Sequence, residues 1–137
     1  VAFVRVAGEA RVLVVRDTVT GDPSDAAALV SVLRGQKVAV VEGTPDIIPA
    51  TGTAPLLAYD SIVLVNTPAA AFDKGQMSAL QGAVRDLGIG LVMVGGEYGF
   101  AAGGWIGSPV ESALPVEMES KKQKRYPAVA LALAVDI

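Results

Sequence analysis

Leu91-Val92-Met93-Val94-Gly95-Gly96-Glu97-Tyr98-Gly99-Phe100 is an apolar run that passes directly into a glycine-rich turn. Four consecutive apolar residues, with no polar alternation, suit a strand buried on both faces, as in a parallel sheet covered by helices. Paired glycines at the strand's end let the backbone adopt a positive φ or pass close to a ligand. α/β enzymes present a catalytic side chain at such a turn. Here the side chain best placed for that is Glu97, in a chain with no cysteine and no histidine.

Working outward, the same pattern recurs. Ala10 to Val15, Lys37 to Val41 and Ser61 to Asn66 are short apolar runs rich in β-branched residues, each followed by a polar or glycine-containing turn. Between them lie helix signals. Asp22-Pro23-Ser24-Asp25 supplies a cap, a first-turn proline and an early acid for a helix running to about Arg34, with Leu29, Val30, Val32 and Leu33 as its buried stripe. Asp73 with Gln76 forms a capping-box pattern ahead of Met77, Leu80, Val84 and Leu87, and Gly88 stops that helix. Ser108-Pro109-Val110-Glu111 starts a short helix that Pro115 ends. The segment 42–53 carries Pro45, Pro49 and Gly52 and reads as a loop. Right-handed crossovers through this order predict an α/β, flavodoxin-like three-layer sandwich with a mostly parallel central sheet.

Composition agrees. In 137 residues, 52% are apolar and only 5% aromatic, so one core must be built from Val, Leu, Ile and Ala. A net charge of −3 offers no basic stripe for nucleic acid. The locally basic run Lys121-Lys122-Gln123-Lys124-Arg125 reads as a solvated linker or strand end. No apolar run reaches the length needed to span a bilayer, so this segment is not expected to insert directly into a membrane. The first residues, Val1 to Val6, and the last, Ala128 to Ile137, both read as strands, which predicts extra terminal strands belonging to a longer polypeptide.

Three stretches carry a family resemblance: Tyr59 to Asn66 with Gln76 to Leu80, Asp86 to Glu97 through the Gly-Gly-Glu turn, and Leu114-Pro115-Val116-Glu117-Met118. Over roughly residues 11–135 the chain resembles the glutamine-amidotransferase-like domain (class I, flavodoxin-like) of large bacterial membrane proteins that also carry a von Willebrand factor A domain. The resemblance implies that 1–137 is a single amidotransferase-like domain, that 1–8 ends a preceding β segment and that 126–137 opens an A-type domain. It also implies a place in a membrane-anchored protein. Asp136 would then be the first aspartate of an A-domain metal motif whose serines lie beyond Ile137, so no metal site is expected within these residues. Class I amidotransferases place a cysteine at the elbow, activated by a distant His-Glu pair. In this chain that position falls on Gly95 or Gly96, so thiol-dependent glutaminase chemistry is excluded.

The remaining candidates form a rim at the carboxyl edge of the sheet. Asn66 and Thr67 follow one strand, and Gly95, Gly96 and Glu97 follow another. Glu97 is a weak catalytic candidate, as a general base, or else a ligand for a sugar hydroxyl; alternatively it bonds the loop backbone and fixes the turn. Tyr98 and Trp105 are candidates for stacking on a carbohydrate ring, or else caps over the local core. Gly95, Gly96, Gly99, Gly103 and Gly104 match neither phosphate-binding glycine pattern. No cofactor is expected. The sequence thus favours a non-catalytic module serving interdomain or protein-protein contact; a separate reading is assembly, the terminal strands pairing with each other or with another chain's edge to give a homodimer. The alternative is a small-ligand or carbohydrate-binding domain, or weak hydrolase, centred on Asn66, Thr67 and the Gly95-Gly96-Glu97 turn.

Overall fold

The computed structural model describes residues 10–19, 22–96, 103–114 and 131–134. Its centre is a five-stranded sheet in the order β2-β1-β3-β4-β5, formed by β1 (Arg11–Arg16), β2 (Ala39–Gly43), β3 (Ser61–Val65), β4 (Gly90–Val94) and β5 (Leu131–Ala134). Strands β1 to β4 are mutually parallel, and β5 runs antiparallel to β4 at one edge. This is an α/β, flavodoxin-like arrangement. Residues Leu131 to Ala134, within the segment expected to open a following domain, pair with β4 at the edge of this sheet. The expected strand at 1–8 lies outside the described residues.

Each central strand is apolar on both faces because each face has its own layer to meet. Leu13, Val15, Ile62, Leu64, Leu91 and Met93 point into the larger core, with Leu80, Ala83 and Val84 of α2 (Lys74–Leu87) and Val110 of α3 (Pro109–Ala113). Val12, Val14, Val63 and Val65, one residue out of phase, meet Ala26 and Val30 at α1 (Ala27–Gly35). The predicted apolar face of α2 holds at Leu80 and Val84, and Met77 and Leu87 pack against its margin. Its capping box forms in both directions: Gln76 N–H donates to Asp73 Oδ1 at 2.7 Å, and Asp73 N–H donates to Gln76 Oε1 at 2.9 Å. Gly88 ends the helix in the left-handed region at φ 67°.

Three sequence expectations change in detail, the first being Val32, expected in the buried stripe of α1 but 62% exposed because it lies on the face away from the sheet. The helix expected from Asp22 begins as a separate 3₁₀ turn at Pro23–Asp25, with Asp22 and Asp25 capping each other's backbone, and α1 follows it. The β2 to β3 connection, expected to be a loop, carries 3₁₀ turns at Pro45–Ile47 and Ala54–Ala58. Prolines start both turns, where a missing N–H leaves no helical bond unmade. Ile48, just after the first turn, and Leu56, within the second, are buried in the core they share with α2, so the connection supplies core where a crossover helix otherwise would.

Candidate functional site

The chain runs outward from β1 to β2 on one side and to β3 on the other, which puts the topological switch point at the carboxyl ends of β1 and β3. Ligands of open α/β sheets bind in that crevice. The residues reaching it here are Asp17 after β1 and Asn66 and Thr67 after β3, beside Gly95 and Gly96 after β4.

Asn66 is the rim residue the sequence reading identified best. It sits at φ 43°, a left-handed conformation that asparagine tolerates better than most residues. Its N–H donates to Val94 O at 2.8 Å, extending the β3–β4 pairing one step past the strands. Its side-chain amide donates to Asp25 Oδ2 at 3.0 Å, tying the rim to the turn before α1. Asp25 also accepts from Asp22 N–H, at 3.2 Å. Ser24 anchors the same turn by donating to Asp22 Oδ1 through its backbone N–H and its hydroxyl. Those two bonds, the backbone one first, hold the Asp22 carboxyl below the ordinary aspartate range.

The second glycine of the elbow has a specific reason to be glycine. A Cβ at Gly96 would lie 2.8 Å from both Cγ and Oδ1 of Asn66. The turn is therefore shaped around the Asn66 side chain and its bond to Asp25. Gly96→Ala is expected to displace Asn66, breaking that bond, and to destabilise the fold by about 1–2 kcal/mol. In an Asn66→Gly background the same substitution should cost little, so a double-mutant cycle in urea should show coupling on the order of 1 kcal/mol. Additive losses would show that the two positions do not meet.

Thr67 and Trp105 turn inward. Thr67 is buried, and its hydroxyl donates to Val65 O at 2.9 Å with Val15 O a further 3.5 Å neighbour. Trp105 is 0% exposed, and its indole N–H donates to Thr67 O at 2.8 Å. Its ring tilts against Phe72, centroids 5.6 Å apart. The neighbouring Gly103 carbonyl accepts from Ala69 N–H at 2.8 Å, fastening the same loop to the segment after β3. Trp105 is thus a core wedge with no open ring face for a sugar, which is the core-cap role and corrects its candidacy as a stacking residue. Gly95 is buried at the end of β4. Glu97, Tyr98 and Asp136 lie outside the described residues.

Sequence reasoning missed Asp17 and Asp25. Asp17 is only 8% exposed and accepts from Val19 N–H at 3.2 Å, a local turn bond. Its position immediately after β1 was the available signal, but nothing in the sequence distinguished it from a solvated turn residue. Among the described residues no group of three acidic, histidine or cysteine side chains is placed to hold a metal ion, and no buried side-chain nitrogen or oxygen lacks a hydrogen-bond partner.

Comparison with protein-family models, curated proteins and solved structures finds no match to this chain. The rim must therefore be judged on its own chemistry. It holds an amide, two carboxylates and a buried hydroxyl, each engaged with neighbouring protein groups. With no cysteine or histidine, no thiolate or imidazole is present to serve as nucleophile or base.

Proposed function

We propose that the chain is a non-catalytic α/β module that works by contact with other domains or proteins, on an amidotransferase-like scaffold whose chemistry has been lost. The observation that carries this reading is that the rim's polar groups are engaged by the protein itself: Thr67 bonds Val65 O and Trp105 bonds Thr67 O in the interior, and Asn66 bonds Asp25 at the surface, where an enzyme of this architecture would direct polar groups at a substrate. The carbohydrate-site alternative is weakened because Trp105 and Thr67 are both buried. What remains for it is Asn66 at the turn, with Glu97 and Tyr98, which lie outside the described residues.

The test is an assay of the protein for hydrolysis of glutamine and of a chromogenic ester. The expected rate equals the buffer blank for both. Hydrolysis that disappears in Glu97→Gln, with the fold unchanged by circular dichroism, would overturn the proposal.

A further inference from the structure

Helix α1 is apolar almost all round. From Ala26 to Leu33 its sequence is Ala-Ala-Ala-Leu-Val-Ser-Val-Leu, with no charged residue. Ala26 and Val30 meet the sheet, while Ala27, Ala28, Ser31, Val32 and Gly35 are exposed, Val32 to 62%. The contrast with α2 is direct, because the exposed positions there are Lys74, Ser78, Arg85 and Asp86. A helix without a polar outer face is ordinarily covered.

The charges flanking α1 indicate what covers it. Asp22 and Asp25 precede the helix, and Arg34 and Lys37 close it, all exposed. We infer that this face is the docking surface for a second copy of the chain, the two α1 helices packing antiparallel about a twofold axis. That inference rests on the reading of the chain as a contact module, and it names the partner.

The register is self-complementary. Asp25 against Arg34 of the second copy, and Asp22 against its Lys37, share one midpoint between Leu29 and Val30. The same axis brings Ala28 beside Ser31 of the other copy, near the centre of the exposed face, with Val32 flanking the contact. A Cβ at Gly35 would meet nothing within 4 Å, so the end of the seam is open to close approach. Arg34 already pairs with Glu42 at 3.4 Å, but its side chain is 57% exposed and has donors to spare. An isologous contact requires this kind of pattern, in which one patch fits itself. A nine-residue helix is only about 13 Å long, so the interface is small and the dimer transient.

The experiment is sedimentation equilibrium of the whole chain, with dimer expected to appear on the order of 100 μM. Val32→Arg, at an exposed position that leaves the core untouched, should lower the association constant at least tenfold while the melting curve is unchanged. Because the chain has no cysteine, single-cysteine variants report the register. Mixed Ala28→Cys and Ser31→Cys proteins should form a disulfide-linked pair on mild oxidation, and Ser78→Cys on the outer face of α2 should not. A chain that stays monomeric at millimolar concentration, or a dimer indifferent to Val32→Arg, overturns the inference. Neither result bears on the hydrolysis assay, so the two readings fail separately.

Discussion

Trp105→Ala is expected to destabilise the protein by about 3–5 kcal/mol, read as a fall in the urea midpoint at unchanged slope. The indole is fully buried in the larger core, and its N–H is the donor to the Thr67 carbonyl. Truncation leaves a cavity under the loop at 103–107 and takes a partner from a carbonyl beside the buried Thr67 side chain. Against a total stability of about 5–15 kcal/mol for an ordinary domain, the loss is a large fraction. Trp105→Phe separates the two contributions: the ring is largely restored and the donor is not, so about 1–3 kcal/mol should remain. Because Trp105 is the sole tryptophan, native fluorescence should be blue-shifted and poorly quenched by acrylamide, and should redden on unfolding. An exposed stacking platform would give red-shifted native emission and a loss below about 1 kcal/mol for the alanine variant.

The parallel sheet was legible in the sequence because its signal is local. Val12 to Val15, Ile62 to Val65 and Leu91 to Val94 are apolar without alternation, and only strands with a layer on both faces need that. The Asp73–Gln76 box was legible for the same reason, since both partners lie within one helical turn. What could not be read depends on residues distant in sequence. Asn66 was visible as a rim residue, but its bond to Asp25 joins positions 41 apart along the chain. For Trp105 a core cap is the favoured reading of the sequence over a stacking surface, but the Thr67 carbonyl that anchors it is 38 residues away. The 3₁₀ turns at Pro45–Ile47 and Ala54–Ala58 were hidden because prolines argue against an α-helix interior without specifying what replaces it. At the elbow the paired glycines suggest a close approach to a ligand or a positive φ, whereas the group Gly96 approaches is the Asn66 side chain.

Gly75 carries the other large effect, and its sign opposes helix propensity. Alanine in an exposed helix interior is favoured over glycine by about 1 kcal/mol, so propensity alone predicts that Gly75→Ala stabilises α2. The structure predicts the reverse. A Cβ built on Gly75 would collide with the Ala50 carbonyl oxygen and would lie 3.1 Å from the carbonyl carbon. The obstacle is backbone, so it cannot rotate away. Either α2 lifts at its first turn, loosening the Asp73 cap, or the connection from β2 to β3 moves outward. The second route strains the two bonds by which Gln76 Nε2 holds Pro45 O and Ile48 O, each at 3.0 Å, and loosens Ile48 in the core. Overpacking of about 1–3 kcal/mol, with about 1 kcal/mol for each hydrogen bond disturbed, outweighs the propensity gain and leaves a net loss of about 2–4 kcal/mol. Gly82, in the same helix, is the control, because its Cβ would meet the Thr53 methyl at 3.2 Å and Asp86 Oδ2 at 3.7 Å, side-chain atoms that can yield. Gly82→Ala should therefore fall within about 1 kcal/mol of the parent, and equal urea midpoints for the two variants would show that the connection does not press on α2.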